Sequence, residues 1–325
     1  MTVLESLEQA YALAGEGRLD EAVRIVESRA ALDDADAQFA LGMWRVSGHP
    51  VPRDLGAAGR WFERAAIRGH LDAEHVHVAF VSHGAGGPPD WKRGLKLLGE
   101  LAERDDEARK QLQVIEKMDL DEDGNPLSLP SPERLSDRPD VQVFRRLFTA
   151  DECAFLIDTA RPHFQPALVT DRATGFQGRV PDRTADTAGF SLMTENPAVH
   201  ALNRRLAAAS GTTANHGEPL QVLRYDPGQE YRPHFDLLPP GGNQRAQTFL
   251  VYLNDGFEGG ETSFLKAGIT FKGELGDGIL FRNVLPGGDP DPDSLHAGLP
   301  VTRGTKMLAS RWIRAREINL YNPLL

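Results

Sequence analysis

The sequence predicts an α+β chain of two domains, a bundle of helical repeats followed by an antiparallel β domain with flanking helices. Three observations predict it. Apolar residues recur at three- and four-residue spacing through the first third of the chain. Within that third, Asp72-Ala73 recurs 36 residues after Asp36-Ala37, the period of a helix-turn-helix repeat. After about residue 140 the rhythm changes to short β-branched and aromatic runs between glycine- and proline-rich turns. A length of 325 residues also exceeds what one compact domain usually holds.

Composition removes several function classes. With 40% hydrophobic and 26% charged residues the chain is of ordinary globular type. Lys and Arg number 36 against 47 Asp and Glu, a net charge of −11, which speaks against a basic nucleic-acid surface. No run of about 18 apolar residues exists, so no membrane helix is expected. The acidic start, Met1 to Glu8, lacks the basic and apolar regions of a secretory signal. Cys153 is the only cysteine, which excludes an intrachain disulfide and a cysteine-rich metal site, and the expected location is cytoplasmic.

Residues 1–115 form the expected helical domain. Leu4 to Ala14 and Leu19 to Ala30 read as helices separated by Gly15 to Gly17. A sharper pattern follows in Ala37, Leu41-Gly42, Gly48, Asp54, Ala57-Ala58, Trp61-Phe62, Ala65-Ala66 and Gly69, with a weaker copy from Phe80 to Ala102. Small residues there let paired helices approach, and Trp61 and Phe62 fill the space between repeats. The pattern resembles the Sel-like variant of the tetratricopeptide repeat, and the resemblance implies protein or peptide binding. Residues 116–140 read as a linker, with the acidic run Asp119 to Gly124 followed by Pro126, Pro130, Pro132 and Pro139. That run mimics the start of a calcium loop, but its twelfth position is Pro130 where a bidentate Glu is needed, so a solvated acidic turn is expected.

Residues 141–325 form the β domain. Asp151 to Ala160 and Pro197 to Ala209 read as helices. Gln221 to Tyr225, Gln247 to Leu253, Ile269 to Phe271, Gly278 to Phe281 and Met307 to Ile313 read as strands of an antiparallel sandwich or barrel.

Within that domain His234-Phe235-Asp236 follows Tyr231-Arg-Pro233 in an extended stretch, where residues two apart face one side and can meet one ion. Taken alone, a His-x-Asp is as well read as a surface strand. His296 and Lys306 change the balance. Pro300 to Gly304 reads as a turn that would put them on paired strands. Two imidazoles and a carboxylate suit non-haem Fe(II) with open positions for a chelating ligand and O2. A buried lysine nearby suits the far carboxylate of a dicarboxylic cosubstrate.

The stretch Gln221 to Asp236 resembles the core of the prolyl 4-hydroxylase branch of Fe(II)/2-oxoglutarate dioxygenases. Thr248 to Asp255, Gly259-Gly260-Glu-Thr262-Ser-Phe264, Gly276 to Phe281, His296, Lys306 and Trp312 stand in the same order, and Val143-Phe144 and Phe148 to Cys153 resemble the opening strand and helix. The resemblance spans about 141–317. It implies a double-stranded β-helix (jelly-roll) fold and hydroxylation of an unactivated C–H bond, with release of succinate and CO2. It also implies Fe(II), 2-oxoglutarate and O2, with ascorbate as a further cofactor. The implied metal ligands are His234, Asp236 and His296. Lys306 would bind the C5 carboxylate, assisted by Tyr252 or Thr262. Tyr225 matches a tyrosine beside the metal, and Tyr231, Trp312 and Arg183 match substrate positions, although Arg183-Thr-Ala-Asp186 departs from the serine-rich run usual there. Loops 167–188 and 237–246 are lid candidates.

The substrate class expected from this branch, with an appended repeat domain, is a peptidyl proline. A free amino acid or other small molecule is the alternative within the same chemistry. A repeat-based scaffold or an oxygen or 2-oxoglutarate sensor is the alternative of another class. The other histidines are read as structural: His75 and His77 lie two apart on a helix and face different sides, and His70 and His83 sit at repeat turns. Cys153 is read as a small core residue.

Overall fold

The computed structural model describes residues 6–170, 177–178, 182–318 and 320–321. Part of the 167–188 lid candidate therefore lies outside the described residues. The chain divides into two compact units. One comprises residues 1–116 with 192–200 and 321–325, the other 117–191 with 201–320.

The first unit contains α1 (Leu7–Gly15), α2 (Leu19–Ala31), α3 (Ala35–Ser47), α4 (Leu55–Ile67), α5 (Leu71–His83), α6 (Trp91–Ala102) and α7 (Asp106–Ile115), each packed on the next. Their starts are written in the sequence. Ser6, Asp34, Asp54, His70, Asp90 and Asp105 each accept a backbone N–H three residues on, satisfying one of the orphan donors of a helix N-terminus. The 36-residue period is visible as structure: Gly48 and Gly84 end α3 and α5 in the same left-handed conformation. Gly42 has a packing reason, since a Cβ there would stand 2.4 Å from the Phe62 ring. Ala58, Phe62, Val76, Phe80 and Tyr321 form one apolar cluster of this unit.

The second unit is an antiparallel β structure. Its larger sheet runs in the order Glu133–Asp137, Asp140–Phe144, Gly278–Arg282, Arg245–Tyr252, Lys306–Arg314, Gln221–Tyr225, Asp186–Gly189 and Gln165–Pro166. A smaller sheet runs Ile269–Phe271, Thr262–Phe264, His296–Gly298 and Tyr231–His234. Val141, Leu223, Tyr252, Phe264, Phe281 and Leu308 belong to one buried core. Helix α8 (Ala150–Ala160) opens with a capping box of Thr149 and Glu152, and α9 (Pro197–Ser210) belongs to this unit from Ala201 on. Glu152 is also buried against Arg205 at 2.6 Å. Among the described residues no helix is long and apolar enough to cross a membrane.

Two readings change. His296 and Lys306 are not on paired strands: the first lies in the smaller sheet, the second in the larger. Between them Val301–Arg303 is a strand, not a plain turn, and pairs with Glu258–Gly259, which carries the chain from one sheet to the other. Residues 116–140 contain the strand Glu133–Asp137, paired with Asp140–Phe144. In the acidic run Asp121 Oδ1 accepts the N–H groups of Asp123 and Asn125. The other histidines have structural partners: His70 caps α5, and His75 faces Asp105 at 3.1 Å while His77 faces Glu63 at 4.0 Å. Cys153 is buried, which pushes its thiol up to about 12 and leaves it without thiolate character.

Candidate active site

Two strands of the smaller sheet bring the two histidines together. His234 and His296 are direct cross-strand partners, so their side chains share one face. Asp236 follows His234 by two residues and reaches the same point. The ligand atoms of all three lie within 4.8 Å of one another, and they are the one such group of three among the described residues.

The donors are set for a cation. His234 Nδ1 lies 2.7 Å from the Arg232 carbonyl and His296 Nδ1 lies 3.0 Å from the Ser294 carbonyl. A carbonyl only accepts, so each Nδ1 is the donor and each Nε2 is the ring atom left to meet an ion. Both Nε2 atoms stand 3.6 Å from an Asp236 oxygen, too far for hydrogen bonds that would close the group on itself. Burial drives the His296 pKa down to about 4, helped by His234, so that ring is neutral at physiological pH. Burial alone would raise Asp236, but His234, His296 and Arg245 outweigh it and hold the carboxylate well below its usual range. This set fits a first-row divalent cation.

Behind the triad lies support that sequence reasoning missed. The Thr248 hydroxyl donates to Asp236 Oδ2 at 2.8 Å and accepts from Asn283 Nδ2 at 2.9 Å. Both residues are fully buried.

A chamber of about 420 Å3 opens beside the triad, lined among others by Tyr225, Thr262, Lys306 and Trp312. Lys306 is buried, donates to the Gly260 carbonyl at 2.6 Å, and lies 5.4 and 5.1 Å from the Tyr225 and Tyr252 rings. Burial pushes the Lys306 ammonium down to about 7. Tyr252 stands behind the chamber wall: its hydroxyl is 3.0 Å from Thr262 Oγ1 and donates to the Phe271 carbonyl at 3.1 Å. Tyr225 is the direct strand partner of Lys306, and burial pushes its hydroxyl up against the pull of Arg183.

An outer groove of about 1080 Å3 shares Arg183, Tyr231, His234, Asp236 and Trp312 with the chamber and adds Leu168, Glu218, Leu238 and Arg245. Tyr231 stacks on His234 with ring centroids 3.4 Å apart, and Arg183 lies 5.1 Å from the Tyr231 ring. Arg245 covers Trp312 at 3.7 Å and is held by Glu218 through bonds of 2.7 and 2.8 Å. Neither Arg245 nor Glu218 was singled out from sequence. The 237–246 lid candidate contributes Leu237, Leu238 and Pro239 to the groove wall.

Residues 220–314 match the family model described as the 2OG-Fe(II) oxygenase superfamily. A probable prolyl 4-hydroxylase of Arabidopsis thaliana (number 10) is 32% identical over 209 residues, covering 57% of this chain and 72% of the relative. The chain belongs to the prolyl 4-hydroxylase family. As a member of that family it is a 2-oxoglutarate-dependent dioxygenase that uses Fe(II). Among solved structures, the viral collagen prolyl hydroxylase of Paramecium bursaria Chlorella virus-1 is similar to this prolyl 4-hydroxylase-family chain with a TM-score of 0.43 and 26% identity, over 54% of this chain and 96% of that one. A Sel1 repeat protein from Oxalobacter formigenes is similar over 33% of this chain and 84% of its own, with a TM-score of 0.30 and 28% identity.

Proposed function

We propose that this chain hydroxylates prolyl residues of a polypeptide, with His234, Asp236 and His296 holding Fe(II). When bound, the metal and 2-oxoglutarate supply the oxidising chemistry, which consumes O2 and releases succinate and CO2. The chain's own residues supply the placement. Lys306 meets the far carboxylate of 2-oxoglutarate, with Thr262 beside it and Tyr252 fixing Thr262 from behind. Tyr225, opposite Lys306, closes the same wall.

The observation that carries the polypeptide reading is the outer groove, which continues the chamber past His234 and Asp236 and has more than twice its volume. A free amino acid needs a small closed pocket, whereas a peptide needs a trough that passes the metal. Tyr231, Arg183 and Trp312 stand where trough and chamber meet. Trp312 Nε1 is buried with no hydrogen-bond partner among the described residues. The proposal includes peptide binding by the helical unit, ascorbate as an accompanying reductant, and a cytoplasmic setting, which suits a chain whose single cysteine is buried and reduced.

The test is succinate release by the iron-loaded protein with poly(L-proline) and proline-containing peptides, with hydroxyproline read by mass spectrometry. Stimulation with a mass gain of one oxygen on proline is the expected result. Stimulation by free proline or another small molecule alone would move the substrate to the small-molecule class.

A further inference from the structure

Residues 182–184 cross the mouth of the site as a short strap. Arg232 N–H donates to the Asp182 carbonyl at 2.8 Å, Arg183 forms a β-bridge with Tyr231, and Thr184 N–H donates to the Glu230 carbonyl at 3.2 Å. Two residues later the chain has left that partner: Asp186 pairs with Arg224 in the larger sheet. Thr184 therefore stands where the backbone passes from one sheet to the other.

The strap carries Arg183, which is buried and lines both chamber and groove. Its guanidinium interacts with the Tyr225 hydroxyl and lies 5.1 Å from the Tyr231 ring and 6.0 Å from the Trp312 ring. It forms no ion pair with a carboxylate among the described residues, and its buried Nε has no hydrogen-bond partner. With no carboxylate to anchor it, the guanidinium depends on these hydroxyl and ring contacts and on the backbone that carries it to them.

We propose that the Thr184 hydroxyl is the clasp of this strap, a positioning group that sets Arg183 between the cosubstrate chamber and the substrate groove. The hydroxyl accepts the Glu230 N–H at 2.9 Å and donates to the Glu230 carbonyl at 3.2 Å, so one side chain engages both backbone groups of one residue. The clasp is exposed to water, so losing it loosens the strap without opening a cavity in the core. The contacts of Lys306 and of the metal ligands do not pass through it. The specific consequence is weaker engagement of the polypeptide, together with 2-oxoglutarate turnover that is no longer tied to hydroxylation.

The kinetic arm of the test rests on the prolyl-hydroxylase reading; a proteolytic arm does not. Full-length wild type, Thr184→Val and Thr184→Ser are compared. Thr184→Val is expected to raise the peptide KM about fivefold, since both hydroxyl bonds are lost while the backbone pairing of the strap remains. It should also raise succinate formed per hydroxyproline, with the 2-oxoglutarate Kd unchanged. Thr184→Ser should restore wild-type behaviour. In limited trypsin digestion, cleavage after Arg183 should be faster in Thr184→Val and wild-type-like in Thr184→Ser, because β-pairing protects that peptide bond only while the strap is fastened. Wild-type behaviour of Thr184→Val in both arms would overturn the clasp. A loss of 2-oxoglutarate affinity in Thr184→Val would also overturn it, by making the residue part of the general fold. If wild type responds to no proline-containing peptide, the reading of function fails and the trypsin comparison alone decides the strap.

Discussion

Thr248 shows how a residue outside the metal's reach sets the quality of the site. Its hydroxyl fixes one Asp236 oxygen and is itself fixed by Asn283, so the carboxylate enters metal binding already aimed. Thr248→Val keeps the shape and removes the bond. Fe(II) affinity should fall about 10- to 100-fold, read by competition with a coloured chelator, with the fold intact by circular dichroism. Unchanged affinity would mean that Asp236 is held by the sheet alone. Lys306 supplies a second prediction at this scale. With its pKa near 7, the free site holds mostly neutral lysine above that pH, while the bound dicarboxylate calls for the ammonium. Binding must then take up a proton, so 2-oxoglutarate affinity should weaken as pH rises from 7 to 9, approaching tenfold per unit. Calorimetry in two buffers of different ionisation enthalpy measures the uptake. Affinity flat across that range would show an ammonium already charged before the ligand arrives.

At the scale of the element, strand Arg245–Tyr252 does the most. Thr248 backs Asp236, Leu250 lines the chamber and Tyr252 braces Thr262, all on one face at period two. Phe249 and Val251 alternate with them and are buried as well. The brace depends on a bare backbone: a Cβ on Gly273 would stand 2.5 Å from the Tyr252 ring. Gly273→Ala should displace that ring and raise the 2-oxoglutarate Kd severalfold while metal affinity stays near wild type, a split that equilibrium binding measures. An equal loss of both would point to collapse of the sheet instead.

What could be read in advance divides at this scale too. Helices α2, α8 and α9 and the strand Gln221–Tyr225 are legible because each has its own period and punctuation. His234, Asp236, His296 and Lys306 are legible because their residue types and spacing are restrictive. Arg245, Glu218, Thr248 and Asn283 are not, since a single polar residue in a strand carries no local signal and its partner lies 12 to 35 residues away. The ten-residue gap from His296 to Lys306 reads as a hairpin for a similar reason, because local spacing does not reveal that Val301–Arg303 pairs elsewhere.

At the scale of the molecule, the chain joins a helical unit with a buried aromatic and aliphatic core of its own to a β unit that contains every candidate site residue. Ligand-linked stabilisation belongs where the ligand touches. Under anaerobic conditions, Fe(II) with 2-oxoglutarate should slow hydrogen exchange in Tyr231–His234, His296–Gly298 and Lys306–Arg314, with α2 to α6 unchanged. Protection spread evenly over the helices would contradict this. The net charge of −11 adds that the iron-loaded protein should not be retained by nucleic acid at moderate salt.

The two carbonyls that hold His234 and His296 by their Nδ1 atoms have a consequence for which metal the protein carries. Rings already oriented and beside an ionised carboxylate ask nothing of the incoming ion that zinc, cobalt or copper does not also meet, and such nitrogen and oxygen donors hold the later metals of the row more tightly than iron. The pocket that makes iron binding prompt therefore makes it replaceable. The fraction of molecules that is active should therefore follow the relative supply of iron and zinc around the chain.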